Sequence, residues 1–94
     1  MKQYSGRRTI DGIVVTVDGN PLDERYDIKT FEDRGFEWGY EGTAPKQLAL
    51  ALLMDHLSDA DKALAAVEAF ARNVVLDLDN DWDLTSADIE SALA

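Results

Sequence analysis

The chain has 94 residues, with 19 acids against 9 lysines and arginines, a formal net charge of −10 and no cysteine. These figures exclude a disulfide-stapled scaffold and a Cys-ligated zinc or iron–sulfur site, and they set a strongly negative surface against any nucleic-acid backbone. At 46% hydrophobic, with no signal peptide and no apolar run near the roughly 18 residues of a membrane span, the chain is expected to be one small cytoplasmic domain over residues 1–94.

The first third reads as strands. Residues 2–9 are expected to pair with Ile13–Val17, a β-branched run, through the turn Asp11-Gly12. Glycine tolerates the positive φ that such a turn demands. Gly19-Asn20-Pro21 then breaks the second strand, because proline has no N–H for a ladder. A further strand is expected over Arg25–Phe31, followed by a turn at Asp33-Arg34-Gly35. Phe36–Glu41 alternates aromatic with polar or small residues, which in a strand puts Phe36, Trp38 and Tyr40 on one face.

The period then changes. Thr43 is the expected N-cap of a helix, with Pro45 in its first turn. Gln47–Leu57 is apolar almost all round, so this helix should be central and buried. Ser58 or Asp59 caps a second helix. Its apolar positions, Ala60 to Val75, recur at three- and four-residue steps, opposite Asp61, Lys62, Glu68 and Arg72. Asp77–Asp83 reads as an acidic loop. Thr85-x-x-Asp88 resembles a capping box, with Ile89 and Leu93 on one side of a short last helix. The expected class is α+β: a small N-terminal antiparallel sheet of three to four strands, then two main helices and a short C-terminal one.

Gly35 to Leu50 carries a long pattern, Phe36-x-Trp38-Gly39-Tyr40-x-Gly42-Thr43-Ala44-Pro45-x-Gln47-Leu48-Ala49. It resembles the signature of an uncharacterised family of short proteins from bacteria, archaea and their phages or plasmids, a domain of unknown function. Thr43 stands where that signature has Ser, and Ala44 where it has a second Gly. The resemblance extends to Val17-Asp18-Gly19-x-Pro21-Leu22 and to Trp82-x-Leu84-Thr85. It implies a shared fold and an association with mobile elements, and no chemistry. Trp38, Tyr40, Gly42, Thr43, Pro45 and Gln47 hold the central positions.

Four places invite a functional reading. Gly42-Thr43-Ala44-Pro45 opens a helix, whose free N–H groups suit phosphate or carboxylate. Capping alone explains these residues, and Glu37 and Glu41 nearby oppose an anion. The aromatic set Phe36, Trp38 and Tyr40, with Tyr26 or Phe31, offers a stacking surface. The plainer reading puts Phe36 and Trp38 in the core and leaves Tyr40 open.

Asp77 to Asp88 has the spacing of a calcium loop, with Asp77, Asp79 and Asp81 at positions one, three and five and Asp88 at twelve. Trp82 stands where that loop needs glycine, and Asp88 is shorter than the usual Glu. The alternative is a solvated acidic loop anchored by Trp82, so the metal content stays undetermined. His56, the single histidine, sits beside Asp55 near a helix C-terminus, and no serine or threonine lies in a nucleophile motif.

The charge is uneven: residues 73–94 hold six acids and no base. One reading makes Asp77, Asp79, Asp81, Asp83, Asp88 and Glu90 a surface for a partner protein with a basic face, in place of nucleic acid. The other makes the acidity a matter of solubility in concentrated salt. Neither an enzyme nor a cofactor is expected. A calcium- or small-ligand-binding module is the alternative, and a homodimer is open through the N-terminal strand if that strand is a free edge.

Overall fold

The computed structural model covers residues 1–94. β1 (Gln3–Thr9) and β2 (Gly12–Val17) form an antiparallel hairpin, Tyr4 opposite Val17 and Thr9 opposite Gly12. At its turn the Thr9 hydroxyl accepts from the Asp11 N–H and donates to the Gly12 carbonyl. Asp18 and Gly19 both take positive φ, 50° and 84°. That mirror-image turn reverses the chain into β3 (Asn20–Pro21). Pro21 therefore ends up paired with Thr16 rather than simply ending β2. A two-residue edge strand accommodates it, since its missing N–H faces no further neighbour.

The sheet order is β3-β2-β1-β4, all antiparallel, and β4 is Trp82–Thr85. This strand lies inside the stretch expected to be acidic loop and cap. Its alternation explains it: Trp82 is buried and Asp83 is exposed. Because β4 pairs with β1, the N-terminal strand is interior to the sheet. The free edge expected there is already occupied.

Two expected strands are absent. Arg25–Phe31 contains a turn at Tyr26–Ile28, and Arg25 has φ 60°. Phe36–Glu41 is irregular, with Gly35 and Gly39 at φ 92° and 84°. Left-handed residues interrupt strand alternation. After the Leu22 N–H bond to the Val15 carbonyl, the chain makes no further backbone bond to β2. The aromatic face dissolves as a result: Trp38 is buried, Phe36 half-buried and Tyr40 exposed.

The helices come in the expected order. α1 (Thr43–Leu57) buries Pro45 and every residue from Gln47 to Met54. Its N-cap is Gly42 rather than Thr43, and no side chain caps it. Ser58, in the left-handed region, closes α1 by donating its N–H to the Met54 carbonyl. Asp59 caps α2 (Ala60–Asn73) by accepting from the Lys62 N–H at 3.1 Å. Ala63, Val67 and Phe70 form the buried stripe of α2. A 3₁₀ turn, Val75–Asp77, replaces the expected last helical turn. α3 (Ser86–Leu93) starts with the full capping box between Thr85 and Asp88.

One face of the sheet supplies Tyr4, Val15 and Trp82 to the core that the helices complete. The opposite face is polar, with a Ser5–Thr16 hydroxyl contact of 2.9 Å and an Arg7–Asp83 ion pair of 3.1 Å. Apolar on every side, α1 must be covered on every side. The sheet, α2 and the irregular segment between Leu22 and Gly42 do this together.

Candidate functional site

Trp38, Tyr40 and Gly42 lead into α1, and Thr43, Pro45 and Gln47 form its first turns. The Trp38 indole donates to the Asp79 carbonyl at 2.7 Å and meets Trp82 edge to face, with ring centroids 5.6 Å apart. The Arg8 guanidinium lies 4.7 Å from the Trp38 ring centroid, donates to the Trp38 carbonyl and pairs with Glu37 at 2.8 Å. Such a stack holds a cation on an aromatic face. Trp38 therefore joins the signature segment to the acidic stretch, and it is not available to stack a ligand.

Tyr40 and Gly42 are matched to each other. A β-carbon on Gly42 would lie 2.9 Å from Cε2 of Tyr40, so only glycine lets the ring settle there. The Thr43 hydroxyl donates to Glu32 at 2.9 Å instead of capping the helix. Pro45 is buried in the first turn, where its missing N–H leaves no bond unmade.

Gln47 has a role that the sequence does not announce. Its amide is fully buried. The oxygen accepts from the Phe31 and Glu32 N–H groups at 2.7 and 3.3 Å, and the nitrogen donates to the Glu24 and Lys29 carbonyls at 2.6 and 3.0 Å. Every hydrogen-bonding site of the amide is used on backbone. The available signal was one amide at the head of an otherwise apolar helix.

Two clefts open beside this segment. The first, of about 370 Å³, has Tyr40, Gly42, Thr43, Pro45 and Lys46 on one side and Glu68 and Arg72 of α2 on the other. Lys46 and Glu68 pair across it at 3.1 Å. Its charges balance, since Glu41 and Glu68 offset Lys46 and Arg72. The second, of about 510 Å³, runs between β2 and the segment carrying Arg34 and Phe36. Both are shallow and open to solvent, and neither brings a histidine against a hydroxyl.

The predicted acidic residues are all exposed, but they fall into two groups. Asp83 pairs with Arg7, Asp88 accepts from the Thr85 N–H, and Glu90 meets His56 at 2.6 Å. These three do structural jobs. Asp77, Asp79 and Asp81 have no cationic partner. No three of the His, Asp and Glu side chains gather closely enough to hold a metal ion. As folded, Asp77, Asp79, Asp81 and Asp88 are therefore not gathered around one point, although their spacing follows the loop pattern.

His56 ties the end of α1 to α3 through Glu90. Its neighbour Asp55 does similar work for β1, accepting from the Tyr4 hydroxyl at 2.7 Å and from the Lys2 ammonium at 3.1 Å. Burial pushes the Tyr4 phenol well above its ordinary value, and the hydrogen bond to Asp55 pushes it further. Nothing in the local sequence announced this pair, whose members are 51 positions apart.

No helix is long and apolar enough to cross a membrane. Neither a curated protein nor a solved structure matches the chain. A family model does match, over residues 4–94, so it takes in the sheet, all three helices, both clefts and the acidic stretch. The chain belongs to that family, a family of unknown function designated DUF6166.

Proposed function

We propose that this protein is a small acidic interaction module that binds the basic surface of a partner protein through Asp77, Asp79 and Asp81. The observation that carries the reading is the combination of free carboxylates and a fixed backbone. None of the three has an ion-pair partner. Yet their segment is tied down on both sides, by the Trp38 indole on the Asp79 carbonyl and by the Gly39 N–H on the Val75 carbonyl at 3.0 Å. Immediately after Asp81 the chain enters β4 and is held by the sheet. A preordered segment loses little entropy on binding. Unpaired charge on it steers a basic partner and sets the salt dependence of the encounter.

In its narrowest form the partner is a nucleic-acid-handling protein, and the module is a phage- or plasmid-type inhibitor acting in the cytoplasm on that protein's nucleic-acid-binding face. Asp83, Asp88 and Glu90 extend the acidic surface, although each also holds the fold together.

The test is capture from host lysate at low salt with the wild-type chain and with the triple variant Asp77→Asn, Asp79→Asn, Asp81→Asn. The expected result is a basic protein retained by wild type, released as salt rises and lost with the triple variant. Retention of the same proteins by both chains, or binding indifferent to salt, overturns the reading. The acidity would then serve solubility alone.

A further inference from the structure

We propose that residues 23–37 form a strap that opens as a unit while the rest of the fold stays closed, and that Gln47 is its latch. The backbone bonding pattern carries the inference. Leu22 is tied to β2 through its N–H on the Val15 carbonyl, and Gly39 is tied to the 3₁₀ turn through its N–H on the Val75 carbonyl. Between them the only backbone–backbone bonds are internal, from the Ile28 and Lys29 N–H groups to the Arg25 carbonyl. Over residues 23–37, the one side chain of the body that bonds the strap's backbone is Gln47, with its four contacts at Glu24, Lys29, Phe31 and Glu32.

Burial respects the same boundary. Leu22 and Trp38, at the two ends, are buried, but no side chain from Asp23 to Glu37 is. Ile28, Phe31 and Phe36 pack against the core only in part. Further ties to the body are side chain to side chain: Thr43 to Glu32, and Arg8 to Glu37. Arg25, at φ 60°, holds a conformation that costs a non-glycine residue energy. It is braced within the strap, its N–H on Asp23 and its guanidinium on Asp27. Segments with few buried apolar contacts and few backbone ties to the body are the ones that open below the global unfolding free energy.

Opening has a defined consequence. The second cleft loses Glu24, Arg34, Gly35 and Phe36, one whole wall. Gln47 and the adjoining surface of α1, apolar on every side, become accessible. The strap is thus a gate over the core helix, and the amide is what holds it shut.

The test uses the full chain and two readouts. Trypsin has three sites in the strap, Arg25, Lys29 and Arg34, and native-state hydrogen exchange reports on α1. Wild type is expected to be nicked first at these sites, while amides 48–54 of α1 stay protected and only they respond strongly to dilute urea. Gln47→Leu should raise strap nicking by about tenfold or more, because it leaves buried backbone groups unpartnered. Gln47→Asn keeps an amide but draws it back by one methylene, so it retains only part of the bonding and adds no buried charge. It should give an intermediate rate, and it carries the comparison if the leucine variant does not fold. Nicking rates unchanged in the variants, or strap cleavage and α1 exchange sharing one urea dependence, would overturn the proposal.

Discussion

The Trp82 indole fills the space that a β-carbon at Gly6 would occupy. The two residues face each other across the β1–β4 pair, and an alanine methyl would overlap Nε1 and Cε2 of the ring. Trp82 in turn meets Trp38 edge to face, so it has no free direction of retreat. Gly6→Ala should therefore destabilise the fold by about 1–3 kcal/mol, the usual cost of overpacking a core. Urea unfolding followed by tryptophan fluorescence measures it. A stability equal to wild type would mean that β4 shifts freely against β1.

The same two tryptophans give a paired prediction. Trp38 Nε1 has an acceptor in the Asp79 carbonyl, whereas Trp82 Nε1 is buried without one. Replacing either by Phe removes similar ring area. Only Trp38→Phe gives up a hydrogen bond, and only Trp82→Phe removes an unsatisfied donor. Trp38→Phe should be the less stable variant, by about 1–3 kcal/mol. Equal losses in urea titrations of the two variants would show that the Trp38 bond contributes nothing net.

How far these elements were legible depends on the range of the interactions. Turns and caps are local, so Asp11-Gly12, Asp18-Gly19, Asp59 and the Thr85–Asp88 box could be read from neighbouring residues. The α+β class and the buried α1 came from a change of period, which is also local. Phe36 to Tyr40 alternates like a strand but has no ladder to join, because β3 stops at Pro21. Trp82 to Thr85 looks like loop in an acidic run, yet β1 reaches it from 76 or more positions away and makes it a strand. Strand identity here depends on which partner is near, and a local pattern does not contain that. The acidic residues show the same division. Their number was plain, but only the fold separates Asp83, Asp88 and Glu90, which have partners, from Asp77, Asp79 and Asp81, which do not.

Tyr4 and Asp55 predict a pH dependence. The Tyr4 phenol donates to the Asp55 carboxylate at 2.7 Å, and its folded pKa lies above the ordinary phenol value. The folded state thus favours the protonated phenol. The resulting stability is fully present below about pH 10, the unfolded value, and is lost as pH rises from there toward the folded pKa. Tyr4→Phe should cost about 1.5–3 kcal/mol at neutral pH, the range for a bond to a charged acceptor. The gap between the two proteins should be flat through neutrality and narrow above pH 10. Stability curves from pH 6 to 11 check this, and a gap that widens in alkali would reverse the assigned sign.

The cap of α3 is open to a direct test, because Thr85 serves two elements. It ends β4 opposite Gln3, and its hydroxyl accepts from the Asp88 N–H at 3.2 Å. Asp88 returns the contact to the Thr85 N–H at 2.9 Å. Thr85→Ala should cost about 0.5–2 kcal/mol, and Thr85→Ser much less, since serine keeps the capping oxygen. Equal losses for alanine and serine, in thermal unfolding followed by circular dichroism, would assign the cost to the strand instead of the cap.

The charge-neutralised triple variant also makes a prediction about the free protein. Asp77, Asp79 and Asp81 lie at alternate positions, are exposed and have no cation nearby to be left unpaired. Changing them to Asn removes like-charge repulsion from a chain of net charge −10 and breaks none of the side-chain bonds described above. Its stability should match wild type to within about 0.5 kcal/mol at high salt and exceed it slightly at low salt, where the Debye length is long enough for the three charges to repel one another. Unfolding midpoints at two salt concentrations test this. A large loss of stability would show that these carboxylates hold the segment in place, and lost binding by the triple variant would then reflect lost structure. An unchanged fold makes lost binding a direct report on the carboxylates themselves.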